Sequence, residues 1–224
     1  MHVDLLVPVK PLAWAKTRLR GAADGGAGAR EAHARLVLAL ARDTIAAATA
    51  VPVVRQVVAI CSDETVCAAL ADDGVQTIPD EPAAGLNPAL RYGDAVLRAA
   101  DVSATVGALP ADLPALRPEE LDGAIRAALA TGGRAFCTDR TETGTTLLLA
   151  PPGQLLGPRF GPASAAAHRA TGARELTGFW PGLRCDVDTA ADLRSAAALG
   201  LGPATSAALA RHGLFQGAVH LDRA

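Results

Sequence analysis

Aromatic side chains are scarce in this chain: Phe, Trp and Tyr make up 3% of its 224 residues. That leaves no platform on which single-stranded bases could stack. An excess of positive charge is also missing, since 21 Lys and Arg stand against 23 Asp and Glu for a formal charge of -2. Binding along a nucleic-acid backbone needs clustered cations, so no nucleic-acid partner is expected, whereas a local basic pocket for a phosphate remains open. No apolar run approaches the roughly 18 residues of a membrane span. The first such run ends at Pro8 with no basic segment ahead of it, so neither a membrane anchor nor a secretory leader is expected. Cysteine is sparse as well. Cys61, Cys67, Cys137 and Cys185 include no Cys-x-x-Cys pair, and their spacing gives neither a zinc knuckle nor a dense disulfide framework. Four reduced, mostly buried thiols in a cytoplasmic protein are the expectation.

What is present is a core. Half the residues are hydrophobic and 20% are charged, which excludes disorder as the main description. At roughly 100–200 residues per domain, 1–224 reads as one domain. Short apolar runs at 5–9, 56–61, 75–78, 105–109, 135–138 and 145–150 read as strands. Helical spacing marks 30–48, 62–71 (with Ser62 as N-cap), 88–100, a helix opening at Pro118, and 164–171, 190–199 and 203–211. The Gly/Ala-rich stretch 21–29 reads as a mobile loop. Strands alternating with helices predict an α/β fold, a three-layer, mostly parallel twisted sheet with helices on both faces. The strands near 135–150 lack a crossover helix between them, which predicts a mixed or antiparallel portion in the C-terminal half.

Ligands of open parallel sheets bind beyond the carboxyl ends of the strands, so the residues just after each strand matter most. After the first strand, Pro8-Val9-Lys10 and Lys16-Thr17-Arg18 supply three cations without a carboxylate. They suit the phosphates of a nucleoside triphosphate, or form a solvated basic loop. This is no Walker loop, because Gly-x-x-x-x-Gly-Lys is absent. Asp112, held between Pro110 and Pro114, suits Mg²⁺ or serves as a turn residue. Asp186 and Asp188 share a side if extended and could complete that metal site, while Asp188 and Thr189 compete to cap the next helix. Gly144-Thr145-Thr146-Leu147 together with Arg159-Phe160-Gly161-Pro162-Ala163-Ser164 offer hydroxyls and glycine amides for an anion, or are an ordinary turn with Ser164 as N-cap. His33, His168 and His212 lie on helical stretches with no partner at metal spacing.

Taken in order, these segments resemble one family. Val7-Pro8-Val9-Lys10 with Lys16-Thr17-Arg18-Leu19, Asp80-Glu81-Pro82 with Gly85-Leu86-Asn87, Leu109-Pro110-Ala111-Asp112-Leu113-Pro114, Gly144-Thr145-Thr146-Leu147-Leu148, Phe160-Gly161 with Ser164 and His168, and Asp186-Val187-Asp188-Thr189 look like the phosphoenolpyruvate / 2-phospho-L-lactate guanylyltransferases of coenzyme F420 biosynthesis. The resemblance implies a nucleotidyltransferase-type Rossmann-like sheet. The implied reaction joins GMP from GTP to the phosphate of a three-carbon phospho-acid, phosphoenolpyruvate or 2-phospho-L-lactate, and releases pyrophosphate. It further implies catalytic Lys16, Arg18 and Asp112, and nucleotide contacts from Pro8, Lys10, Lys16, Arg18, Gly85 and Asn87. Gly85 and Asn87 resemble the loop that reads guanine. Thr146, Gly161 and Ser164 match the acceptor's seat, and Asp112, Asp188 and Asp186 the Mg²⁺ ligands. A downstream deazaflavin-precursor transferase would take the product, and a homodimer is compatible with the surface.

Three alternatives stand beside this. One is 3-phosphoglycerate as acceptor. Another is a molybdenum-cofactor-type nucleotidyltransferase, disfavoured because Pro8-Val9-Lys10-Pro11 replaces the usual Gly-rich opening. The last is a non-catalytic nucleotide-binding partner of the downstream transferase, disfavoured by Asp112 together with an Asp at 186 or 188.

Overall fold

The computed structural model describes residues 2–12, 15–81 and 83–211. Its strands are β1 (Val3–Pro8), β2 (Val54–Ile60), β3 (Gln76–Ile78), β4 (Thr105–Ala108), β5 (Ala135–Thr138), β6 (Thr145–Ala150) and β7 (Arg174–Glu175). They form one sheet in the order β3-β2-β1-β4-β6-β5-β7. β1 pairs in parallel with both β2 and β4, and β2 with β3. β6 runs antiparallel to both of its neighbours, β4 and β5. The mixed C-terminal portion is therefore present, because a six-residue turn between β5 and β6 is too short to carry a parallel crossover.

The helices are α1 (Arg30–Thr49), α2 (Glu64–Asp72), α3 (Leu86–Ala100), α4 (Pro118–Ala130), α5 (Ser164–Ala170), α6 (Ala190–Leu199) and α7 (Pro203–Ala210). Period-two alternation along β1 sorts them into layers. Leu5 and Val7 point into a core closed by Ile45 of α1, Leu70 of α2 and Ile125 of α4. Leu6 points the other way, against Leu90 and Leu97 of α3 and Ala165 of α5. Burying a side chain such as Leu6 completely stabilises the fold by roughly 1.5–3 kcal/mol, so each strand is fixed in register by two opposed apolar faces. A third cluster lies outside the sheet, where Leu36 and Leu40 of α1 meet Leu193 of α6 and Leu209 of α7.

Several expectations are corrected. The stretch 21–29 is a hydrogen-bonded turn, not a free loop: Asp24 accepts from the amides of Gly28 (3.0 Å) and Ala29 (2.6 Å), and Ala23 is buried. Asp63, not Ser62, caps α2, because its carboxylate reaches the amides of Thr65 and Val66. α3 begins at Leu86, ahead of Pro88, and Ala163 rather than Ser164 precedes α5. Cys61 and Cys67 pair as a disulfide across the β2–α2 junction, their Cα atoms 6.5 Å apart. The helix folds back over the strand end there, so only Cys137 and Cys185 are free, and both are buried. His212 lies outside the described residues. No helix of the described residues is long and apolar enough to cross a membrane.

Candidate active site

Strand order reverses between β1 and β4, and a crevice opens there beyond their carboxyl ends. It is a cleft of about 580 Å³. Pro8, Lys10, Lys16, Arg18, Asp112 and Asp188 all line it, joined by Leu86 and Pro162. The two segments that the sequence marks as basic and acidic thus face each other across one cavity.

Lys16 is the centre of this arrangement. Its ammonium is ion-paired with both Asp112 and Asp188. Burial alone would lower its pKa, but the two carboxylates outweigh burial and hold the ammonium well above the usual lysine range. The residue adopts left-handed backbone angles, φ 51° and ψ 42°, at the entry to a 3-10 turn over Thr17–Leu19. A non-glycine residue there carries strain of about 1–2 kcal/mol, which surrounding contacts must offset. Two of those contacts are visible. Leu19 N–H donates to the Lys16 carbonyl (2.8 Å), and the imidazole Nε2 of buried His33 meets the Ala15 carbonyl (2.8 Å).

Asp112 is pinned through its neighbours. Its carbonyl accepts from Val187 N–H (3.0 Å), and Leu113 N–H donates to the Thr44 hydroxyl (2.9 Å). That hydroxyl in turn donates to the Leu40 carbonyl (2.9 Å), so α1 braces the loop after β4. One carboxylate oxygen of Asp112 meets Lys16, while Oδ1 is buried without a hydrogen-bond partner. Such an orphan is costly unless a ligand completes it. Asp186 lies close by. Burial raises its carboxyl to about 7, with Asp112, Asp139 and Asp188 adding repulsion against the opposing pull of Lys16. Thr189 wins the competition to cap α6, forming a reciprocal box with Asp192, which leaves Asp188 free for the cleft.

Among the described residues no group of three or more His, Cys, Asp or Glu side chains is placed to hold a metal ion. Asp112, Asp186 and Asp188 therefore do not make a closed cage. Oxygen donors few in number, one of them buried and unpartnered, still fit Mg²⁺, which keeps waters and completes its shell with substrate phosphates.

The remaining candidates are placed differently. Gly85 precedes α3 with φ 103° and ψ 177°, a conformation that only glycine adopts without strain, and no side chain caps that helix. Asn87 does not point freely at a base. Its Nδ2 donates to the Phe160 carbonyl (2.8 Å) and its Oδ1 accepts from Phe160 N–H (2.8 Å). The amide plane is thereby fixed, and α3 is fastened to the 159–161 segment. Thr146 is also turned away from the cleft: it is buried, with its hydroxyl towards the Thr138 carbonyl (3.4 Å). A bulge explains this, since Cys137 pairs with Leu147 and Thr138 with Thr145, leaving Thr146 unmatched. Thr145 instead meets Ser164, whose hydroxyl donates to it (3.1 Å). Gly161 is exposed beside Pro162 in the cleft wall.

Two residues escaped the sequence reading. Arg184 donates from Nε to the Thr138 carbonyl (3.1 Å) and from a terminal nitrogen to the Thr138 hydroxyl, docking the 184–188 segment on the end of β5. Asp139 binds the Thr143 amide (2.9 Å) and the Thr141 hydroxyl (3.0 Å) within the turn to β6. An Asp followed by two Thr and a Gly between short strands is the signal of a side-chain-tied turn. Gly144 is required there, since a Cβ would lie 2.6 Å from Asp139 Oδ2. Gly144→Ala should cost roughly 1–3 kcal/mol in a urea melt, because the carboxylate it displaces is already fixed by two bonds.

Comparison with known proteins agrees with this geometry. The family described as MobA-like NTP transferase domain matches residues 25–183. A phosphoenolpyruvate guanylyltransferase of Geodermatophilus obscurus is 51% identical over 206 residues, 92% of this chain and 93% of that one. One from Salinispora arenicola is 50% identical, covering 90% of this chain and 91% of that one. Among solved structures, a nucleotidyl transferase from Methanothermobacter thermautotroptrophicus superposes with a TM-score of 0.59 at 17% identity, over 88% of this chain and 97% of that one. The last shows the shared fold.

Proposed function

This chain belongs to the MobA-like NTP transferase family and, within it, to the phosphoenolpyruvate guanylyltransferases, and from that premise we propose that it joins GMP from GTP to the phosphate of phosphoenolpyruvate. An acceptor phosphate oxygen attacks the α-phosphorus of GTP. The new P–O bond forms as the bond to the β-phosphate oxygen breaks, and pyrophosphate leaves. The product is enolpyruvyl-diphospho-5'-guanosine, a mixed anhydride suited to a following transferase. A cytoplasmic location belongs to the same reading.

The observation that carries the proposal is the cleft in which Lys16, paired with Asp112 and Asp188, faces Lys10 and Arg18. A phosphate nucleophile needs no strong base, so positioning and charge neutralisation dominate. Lys16 and Arg18, with Lys10, bind the triphosphate and stabilise the departing pyrophosphate. The uncapped start of α3 at Gly85 offers backbone amides to the nucleotide. Asn87 supports that loop through Phe160. Asp112 and Asp188, with Asp186 nearby, would hold Mg²⁺, which when bound polarises the α-phosphoryl group and screens two anions from each other. Gly161 and Ser164 belong to the acceptor's seat.

The test is pyrophosphate release with GTP, Mg²⁺ and one acceptor at a time, with ATP and CTP as nucleotide controls. Release with GTP and phosphoenolpyruvate is expected. Release only with 2-phospho-L-lactate or 3-phosphoglycerate would reassign the acceptor, and none with any of the three would remove the catalytic reading.

A further inference from the structure

Behind the cleft wall lies a buried polar cluster in which His168 and Thr145 have no role in the reaction just described. His168 of α5 has no exposed surface. Its Nε2 accepts the Arg159 N–H (2.9 Å). A backbone amide is only a donor, so the proton of this imidazole sits on Nδ1. Nδ1 lies 2.9 Å from the Thr145 hydroxyl and donates to it. Thr145 Oγ1 accepts a second bond from the Ser164 hydroxyl (3.1 Å). The ring is further confined by Phe160, edge-on at 5.2 Å, and by Phe136 at 5.7 Å.

One imidazole thus ties three segments: the start of β6, the 159–161 loop and the first turn of α5. Pro162 of the connecting stretch forms part of the cleft wall. We propose that His168 and Thr145 are positioning residues for the acceptor: their fixed-tautomer bridge sets the path of residues 159–164 and so places Gly161 and the cleft-lining Pro162 at the phospho-acid's seat. This rests on the guanylyltransferase reading above and adds to it the pair that shapes the seat. The arrangement is directional. His168 donates to Thr145 and Thr145 accepts from Ser164, so the single Ser164 proton is spent inside the cluster and the pair acts on the seat through the path of the backbone.

The proposal separates the two substrates. Thr145→Val keeps the side-chain shape and removes the acceptor of both bonds. It should raise KM for phosphoenolpyruvate about tenfold or more while KM for GTP stays within about twofold. Thr145→Ser restores a hydroxyl and should recover most of the loss. At 168, Asn places its amide nitrogen near the position of Nδ1 and can still donate to Thr145, whereas Gln reaches only the position of Nε2. H168N should therefore keep acceptor KM closer to wild type than H168Q does. If T145V does not fold, wild-type protein supplies the readout: ¹⁵N signals of the His168 ring should shift when phosphoenolpyruvate is added with Mg²⁺. A T145V enzyme with unchanged acceptor KM overturns the proposal, as does one whose two KM values rise together, or a His168 ring that ignores phosphoenolpyruvate. A wild type inactive with every three-carbon acceptor removes the functional reading itself, and this proposal with it.

Discussion

Asp112→Asn should lower kcat/KM by about a thousandfold or more while the protein stays folded. The segment bearing Asp112 is held by backbone bonds that the substitution leaves alone: Val187 N–H to the Asp112 carbonyl, Leu113 N–H to Thr44, and Gly202 N–H to the Pro114 carbonyl. What changes is charge. The carboxylate that neutralises Lys16 becomes a neutral amide, and with its one remaining oxygen kept on the Lys16 ammonium the NH2 takes the buried, unpartnered place of Oδ1, where it repels a cation. Asp188→Asn should cost less, about ten- to a hundredfold. Its side chain is 56% exposed against 13% for Asp112, so water already screens it. Steady-state kinetics with a thermal melt of each variant checks both. An Asp112→Asn enzyme keeping more than a tenth of wild-type activity would refute the assignment, and equal losses at 112 and 188 would refute the ranking.

The contrast between these two aspartates was not readable from the sequence. Asp112 follows a strand and Asp188 an irregular segment before α6, and each could have been a turn residue or a cap. Long-range pairing separates them: Lys16 meets Asp112 at a separation of 96 residues and Asp188 at 172. No local spacing rule spans such distances. The strands themselves were legible, because apolar runs such as 105–109 end abruptly at Pro110 and Asp112. The antiparallel hairpin of β5 and β6 was legible for a topological reason, the missing crossover. β7 was not, because Arg174-Glu175 is polar and is paired only through its backbone to the edge of β5. The stretch 21–29 looked featureless because its order comes from one carboxylate, Asp24, and from Ala23 buried against remote helices. Asn87 and Thr146 were found as residues of interest, yet their polar atoms are turned to Phe160 and Thr138. Side-chain direction at a helix start and beside a bulge depends on tertiary partners that a motif does not encode.

The same buried imidazole that shapes the acceptor's seat makes stability depend on pH. Burial, reinforced by the Arg134 and Arg159 charges, lowers the pKa of His168 from 6.5 to about 4. The nearby Arg169 guanidinium lies over Phe136 and is paired with Glu175, so it adds no unopposed charge. The folded state then keeps the ring neutral where the unfolded chain takes up a proton. Stability from this residue is complete above pH 6.5 and is lost progressively as pH falls from 6.5 towards 4, by about 1.4 kcal/mol per unit at most. Asp186 acts in the opposite sense. Its carboxyl is raised from 3.8 to about 7 by burial and by three neighbouring carboxylates, so its contribution is largest below pH 3.8 and is lost as pH rises through 7. The two slopes oppose each other across much of one window, and the raw stability curve of metal-free protein should be shallow there. The difference between wild type and His168→Gln isolates the ring. The stability advantage of wild type should shrink by roughly 2–3 kcal/mol between pH 7.5 and 4.5 in urea melts. A constant difference across that range would mean that the imidazole is protonated in the fold. Its Nε2 could not then accept the Arg159 amide, and the fixed tautomer on which the Thr145 bond depends would be gone.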